Sequence, residues 1–307
     1  MRRIAILAAA AASLISPSAH AQAGGSSVPL LELPASTRAL ALGNAFVAAG
    51  KDEASIFYNP AQLATVQKLS AGLSVQQWFL GQTVAAAAAA VHALHGTAAI
   101  GLQVLDYGSS ERAFDDPAGG FGEPTGSEIS AGDYVASLAY GVALGKLRVG
   151  ATGKYVNQRL VDESGGTGAL DFGAALDVKG VTVAASVQNI GGDISLAGDR
   201  RSLPRLVRAG AAIPVRGVGP VDLLGTIELT HMNGETQPFG GVELEYQAPG
   251  GVTILGRVGA LDRPTGADIS PVAFGGGLRA LHFALDYAYE GSAVFGAMHR
   301  VGVRWWR

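Results

Sequence analysis

From Leu69 to the end the chain alternates. Leu281, Phe283, Leu285, Tyr287 and Tyr289 interleave with His282, Ala284, Asp286, Ala288 and Glu290, and Val221, Leu223, Gly225, Ile227 and Leu229 with Asp222, Leu224, Thr226, Glu228 and Thr230. The same step of two separates Leu170, Phe172, Ala174, Leu176 and Val178 from Asp171, Gly173, Ala175 and Asp177, and Val242, Leu244 and Tyr246 from Gly241, Glu243 and Glu245. A period of two belongs to β-strands, whose successive side chains point to opposite faces. Strand-like runs lie near 69–79, 82–93, 96–107, 129–143, 146–160, 167–178, 180–189, 204–214, 219–231, 236–247, 251–261, 270–279, 281–290 and 297–306. An even number near fourteen is expected, with twelve or sixteen if a run has been split or merged.

Two architectures share this alternation: a soluble sandwich with a charged outer face, and a membrane barrel with lipid on the apolar face and a polar lumen. The chain is 48% hydrophobic and only 15% charged, against about 25% charged in an average soluble domain. Lysine is scarce, and the polar face mixes Gly and Ala with isolated Arg148, Lys154, Arg208, Arg257, Arg279 and Arg304. Many runs approach the 9–11 residues a tilted transmembrane strand requires. Connections alternate in length: tight ones at His95-Gly96, Gly145-Lys146, Lys179-Gly180, Pro249-Gly250 and Ala280, a longer one at 216–219, and long ones at 108–128, 161–166, 190–203 and 262–269. Short turns on one side and long loops on the other fit an outer-membrane barrel with both termini periplasmic.

The N-terminus sets the compartment. Arg2 and Arg3 precede an apolar stretch from Ile4 to Ile15 and a small-x-small site at Ala19-His20-Ala21, the pattern of a secretory signal peptide cleaved before Gln22. Beyond it the longest near-uniform apolar run, Thr83 to Ala93, is about half of a helical span. The expected division is a signal peptide over 1–21, an N-terminal plug segment over 22–66 and an outer-membrane β-barrel over 67–307. Trp78, Phe79, Tyr107, Tyr134, Tyr155, Tyr246, Tyr289, Trp305 and Trp306 lie near run ends, where aromatic belts meet headgroups; Tyr140 and Phe172 do not. The last run resembles a bacterial barrel's C-terminal insertion signal, displaced by one residue because Arg307 follows Trp306.

Reaction chemistry is sparse. With no cysteine there is neither a disulfide nor a thiolate metal site; there is no Gly-x-Ser-x-Gly elbow and no phosphate loop ending in Lys-Ser/Thr. The glycines sit inside strand runs, where they relieve crowding or leave lumen space. His92 and His95 do not converge as ligands in a strand-turn context, and His282 and His299 are expected in the lumen. No catalytic residue, metal site or cofactor is assigned. A net charge of -3 gives no basic field for nucleic acid. The lumen charges Arg148, Lys154, Asp171, Arg208, Glu228, Glu243, Arg257, Asp286 and Arg304 read as a structural ladder of ion pairs or a selectivity feature. Asp115, Asp116 and Glu123 mark the longest external loop.

One segment stands outside the alternation. Asn59 precedes a proline and is pushed out of the helical region, while Pro60 suits a first helical position. Asn59 can then cap the turn, with Gln62 completing a capping-box-like exchange. Arg38-Ala39-Leu40-Ala41-Leu42-Gly43-Asn44-Ala45-Phe46-Val47-Ala48, then Asp52-Glu53-Ala54-Ser55, then Tyr58-Asn59-Pro60-Ala61-Gln62-Leu63-Ala64 resembles the N-terminal signature of the PorV/PorQ family of outer-membrane proteins. Leu105-Asp106-Tyr107-Gly108, Gly153-Lys154-Tyr155-Val156, Ala169-Leu170-Asp171-Phe172-Gly173, Val187-Gln188-Asn189-Ile190-Gly191 and Leu203-Pro204 also look like that family, although Ala45 stands where it commonly has glycine. The resemblance implies a fourteen-stranded barrel related to FadL-type fatty-acid transporters, with the N-terminal segment folded back inside. It implies either a non-enzymatic role in type IX protein export or cargo attachment, with secreted cargo or secretion components as partners, or a channel for hydrophobic small molecules. Outer-membrane lipid is the expected surroundings. Because the runs after Leu69 can close on themselves, the lumen is the site left for Arg38, Gly43, Asn44, Asn59, Pro60 and Ala61; Asn59 and Pro60 are expected buried there, with Arg38 paired to a luminal carboxylate.

Overall fold

In a computed structural model the chain is described over residues 27–78, 81–113, 124–196, 198–218, 220–261, 269–294 and 296–307. The expected signal peptide, Phe79 and the acidic loop with Asp115, Asp116 and Glu123 lie outside the described residues.

The described residues form sixteen strands. Before the longest connection come β1 (Leu69–Gln77), β2 (Thr83–Ala93), β3 (Gly96–Ala113), β4 (Pro124–Leu144), β5 (Leu147–Leu160), β6 (Glu163–Val178) and β7 (Val181–Gly191). A small hairpin follows, β8 (Asp193–Leu196) with β9 (Asp199–Ser202). Then come β10 (Leu206–Val218), β11 (Val221–Met232), β12 (Glu235–Ala248), β13 (Val252–Leu261), β14 (Ile269–Ala280), β15 (Phe283–Ser292) and β16 (Gly296–Trp306). Apart from β8 and β9, each strand pairs antiparallel with its neighbours, β7 with β10, and β1 with both β2 and β16. The product is a closed fourteen-stranded barrel, as the alternation predicts.

Closure pairs every strand on both sides, which abolishes sheet edges. The exterior inverts a soluble protein: Ile100 (62%), Leu138 (65%) and Ile227 (57%) stand exposed, while their inward neighbours Ala99, Ala139 and Glu228 are buried. A closed, apolar-skinned barrel is one of the two backbone arrangements that leave no polar group unsatisfied in hydrocarbon. Ile227 sits about midway along β11, so Ile227→Arg is expected to cost about 2–4 kcal/mol of folding free energy in a bilayer. Denaturant titration of the protein refolded into lipid vesicles measures it, and an unchanged midpoint would argue against lipid contact at that position.

The connections sort by end, with one revision. At one end two-residue turns join hairpins, with positive φ at Leu94 and His95 and at Lys179 and Gly180, the geometry that matches strand twist. At the other, the long loop expected over 161–166 is a two-residue turn, because β5 and β6 pair up to Leu160 opposite Glu163. Much of the asymmetry is paired strand rather than loop: β3 has 18 residues and β4 has 21, well beyond the 9–11 that cross a membrane.

Residues 27–66 run through the interior as the turn Pro29–Leu31, the helix α1 (Thr37–Ala41) and the turns Glu53–Phe57 and Pro60–Thr65. The segment starts at the long-connection end, where Ser27 Oγ donates to Ser202 O, and finishes at the short-turn end, where Thr97 Oγ1 donates to Val66 O. Arg307 pairs with Leu69 at that same short-turn end. Arg307 therefore lies at the expected short-turn end, and the residues before Ser27 lie outside the described ones.

Candidate functional site: the barrel interior

The interior is a core shared between segment and wall. Phe46, Val47, Ile56, Phe57, Tyr58, Ala61 and Leu63 pack against inward-facing alanines, among them Ala86, Ala90, Ala99, Ala139, Ala175, Ala184 and Ala212. An alanine-faced wall leaves the width that the segment's larger side chains fill. Ser36 caps α1, its side chain accepting from Ala39 N at 3.4 Å. Gly43 (φ 65°) and Asn44 (φ 61°) then turn the chain out of the helix, a conformation open to glycine and tolerated by asparagine.

Asn59 and Pro60 are buried against the wall. Asn59 Nδ2 donates to Val47 O (3.1 Å) inside the segment and to the strand carbonyls of Ala174 (3.2 Å) and Ala185 (3.4 Å), while its Oδ1 accepts from Ala61 N (3.0 Å). One amide thereby caps a turn and fastens it to β6 and β7. Gln62 does not complete the expected capping exchange; its Nε2 donates to Ala48 O at 2.8 Å, tying the last turn to the middle of the segment. Ser186 and Gln188 donate to the carbonyls of Tyr58 and Phe57 (2.8 and 2.9 Å), and Tyr58 Oη accepts from Ala35 N and Ser36 N.

The glycines explain how the segment comes this close. Gly141 on β4, Gly150 on β5 and Gly173 on β6 lie side by side in register. A Cβ at Gly150 would stand 2.5 Å from Pro60 C, and one at Gly141 or Gly173 would overlap Pro60 O or Asn59 Oδ1. On the far wall Gly241 and Gly259 are partners across β12 and β13, and there a Cβ would meet the backbone of Leu42 and Gly43. These two bare patches are seats for backbone.

The lumen charges divide into two groups. One engages the segment. Arg38 forms a bidentate pair with Glu243 (Nε to Oε2 2.8 Å, Nη2 to Oε1 2.9 Å), and Glu243 Oε2 also accepts from Arg257 Nε at 2.6 Å. Arg257 continues to Asp286 at 2.6 Å, and Asp52 on the segment pairs with Arg304. Burial alone would lower the Arg38 guanidinium, yet Glu243, and then Asp52, hold it above its ordinary value. Glu228 Oε2 accepts from both Phe46 N and Val47 N at 2.8 Å, and its Oε1 from Arg208 Nη1 at 2.8 Å. The other group stays within the wall: Lys154 with Asp171 (2.6 Å) and Asn189 (2.9 Å), and Arg148 with Asp177 (2.8 Å).

Glu53 forms no ion pair among the described residues; Ser70 Oγ donates to it. Burial, and then the neighbouring Asp52, push its carboxyl up from 4.5 to about 7. The folded state therefore holds a proton that the unfolded chain releases near pH 4.5. Stability from this group is present below that value, falls as pH rises and is lost through about pH 7. Glu53→Gln is expected to flatten thermal stability between those pH values; an unchanged slope would refute the assignment.

Several functional contacts were not readable in advance. Asp52, Tyr58 and Gln188 lie in the family-like stretches, but neither these nor Ser186 show a partner in sequence, and only closure of the barrel brings those partners to them. Trp78 and Tyr107, placed in the aromatic belt by position, turn inward against an apolar cluster of Val28, Leu30, Leu31, Val84, Leu105, Val135, Val156 and Ile194. His299 is not in the lumen: it is exposed outside, 2.6 Å from Tyr287 Oη, because Met298 and Arg300 take the inward positions. His282 is exposed beside the β14–β15 turn. Among the described residues no group of three or more His, Asp or Glu side chains could hold a metal ion.

The interior thus has two unlike ends. The apolar cluster lies toward the long connections. At the short-turn mouth a recess of about 710 Å³ is lined by segment and wall, including Arg38, Lys51, Asp52, Glu243, Arg279 and Arg304.

No family model and no curated relative matches the sequence. Solved structures do. A Pseudomonas aeruginosa FadL homologue is similar at a TM-score of 0.54 with 12% identity, over 89% of this chain and 98% of that one. The Pseudomonas putida toluene transporter TodX gives 0.55 and 11%, over 89% and 96%, and the Ralstonia pickettii toluene transporter TbuX 0.54 and 11%, over 91% and 97%. At such identities the likeness is one of fold: this chain has a FadL-like barrel fold.

Proposed function

We propose that this protein is a non-enzymatic channel for hydrophobic small molecules in an outer membrane, with residues 27–66 obstructing its lumen. The observation that carries the reading is the interior apolar cluster built by Leu30 and Leu31 with Leu105, Val135, Val156 and Ile194, inside a barrel whose fold is that of toluene transporters. An apolar lining with a few polar groups suits a hydrophobic ligand, and the exposed apolar skin suits outer-membrane lipid. Uptake of toluene and of oleate by cells lacking the gene tests it. Loss of uptake with unchanged surface delivery of secreted proteins is the expected result; the reverse pattern rejects the channel.

A second reading keeps the finer family resemblance: a PorV/PorQ-type barrel that supports export or cargo attachment through secretion partners. The packing of the interior favours it, since Asn59, Ala61, Gln62 and Leu63 are as buried as a protein core, which suits a scaffold better than an open conduit. Co-purification of secreted cargo with the detergent-extracted barrel is its readout.

A further inference from the structure

At the short-turn mouth the barrel places two arginines one strand apart on either side of a small residue. Arg279 on β14 is opposite Ala284 on β15, and Ala284 is opposite Arg304 on β16. Ala284 is buried and inward, so both guanidinium groups reach over it into the recess that they line together. Neighbouring strands lie about 4.8 Å apart, which sets the two arginine stems about 10 Å apart with only a methyl group between them.

Neither arginine is used up by the protein. Arg279 Nη1 reaches Glu245 at 3.5 Å and Arg304 Nη1 reaches Asp52, but the buried Nε of each has no partner. Seven cationic and four carboxylate side chains line the recess, although the chain as a whole is net negative. Three of the carboxylates, Asp52, Glu243 and Glu245, are already paired, whereas Lys51, Lys68, Arg216 and Arg307 form no ion pair among the described residues. Burial, and then the Arg38 charge, lower the Lys51 ammonium.

We propose that this recess is an oxyanion site, in which a phosphate or phosphomonoester bridges Arg279 and Arg304 over Ala284. A carboxylate offers one edge and suits a single guanidinium. A phosphate presents oxygens in several directions and can accept from both arginines at once. The phosphate group belongs either to a free anion or to a lipid headgroup. The site lies at the opposite end of the barrel from the apolar cluster and does not depend on what passes through the lumen.

The test uses the full mature chain in a neutral maltoside detergent, titrated calorimetrically with inorganic phosphate, glycerol 3-phosphate and a soluble short-chain phosphatidate at constant ionic strength. Saturable binding is expected, weakened at least tenfold in Arg279→Gln. That variant leaves the buried pairs of the segment in place, and retained thermal stability checks that it is folded. Arg201→Gln, exposed on the β8–β9 hairpin, is expected to bind as the unaltered protein does. Tighter binding of the phosphatidate identifies a headgroup site, and equal binding of all three a free-anion site. Absence of saturable binding by any of the three, or equal affinity in Arg279→Gln, overturns the proposal.

Discussion

Gly173→Val is expected to unseat the N-terminal segment without opening the barrel wall. A Cβ at Gly173 overlaps Asn59 Oδ1 and comes within 3.0 Å of Pro60 Cδ, and neither neighbour can give way. Asn59 is held by Val47, Ala174 and Ala185, while the ring of Pro60 is covalently fixed. Overpacking of this kind costs about 1–3 kcal/mol, and losing the two wall hydrogen bonds of Asn59 adds about 1 kcal/mol each. The expected sum, about 3 kcal/mol or more, falls on the segment and not on the strand ladder. In planar bilayers the variant should conduct more than the unaltered protein, and protease should cut between residues 34 and 66. Gly153→Val is the control, because a Cβ there meets nothing within 4 Å. Equal conductance and equal protection in both variants would mean that the glycine row is not a seat.

Glu243→Gln is expected to produce the largest loss among the charge substitutions. Glu243 is shared by Arg38 and Arg257, so removing its charge leaves two buried guanidinium groups competing for one remaining acidic neighbour each, Asp52 and Asp286. Breaking a buried pair by removing one partner costs about 3–5 kcal/mol. Arg38→Met with Glu243→Gln should recover part of this, since the unpaired cation of the segment goes with its partner. Glu245→Gln, whose contact with Arg279 is long and part-exposed, should cost less than about 1 kcal/mol. Denaturation in detergent measures all of these. A Glu243→Gln midpoint no lower than that of Glu245→Gln would dismiss the network as an anchor.

Both predictions concern contacts between a segment near residue 40 or 60 and a wall residue more than a hundred positions later. The motif Arg38 to Ala64 could be singled out, and the polarity of the lumen face could be read from alternation. Which carboxylate meets Arg38 could not: Glu228, Glu243, Asp171 and Asp286 are alike in pattern. In the folded chain Glu228 binds backbone N–H groups of the segment, Glu243 binds Arg38, and Asp171 pairs with Lys154 of the wall. The glycines pose the same difficulty. Alternation places Gly153 outward and Gly173 inward, but does not show that Gly173 in particular receives Asn59. His299 faces outward and Trp78 inward, each opposite to the side expected from sequence, since inward and outward differ by a single residue of register.

The sequence by itself pointed to an antiparallel barrel of about fourteen strands, because a period of two over some ten residues, the scarcity of charge and the length of each connection are local information. It also determined which face is apolar, and that the segment around Arg38 and Asn59 has no place in the wall. Only the tertiary structure decided how that segment is held: which end it enters, which glycines it rests on, and which of several similar charges it pairs with. Those depend on strand register and shear around the whole barrel, quantities fixed by closure and by no single stretch of chain.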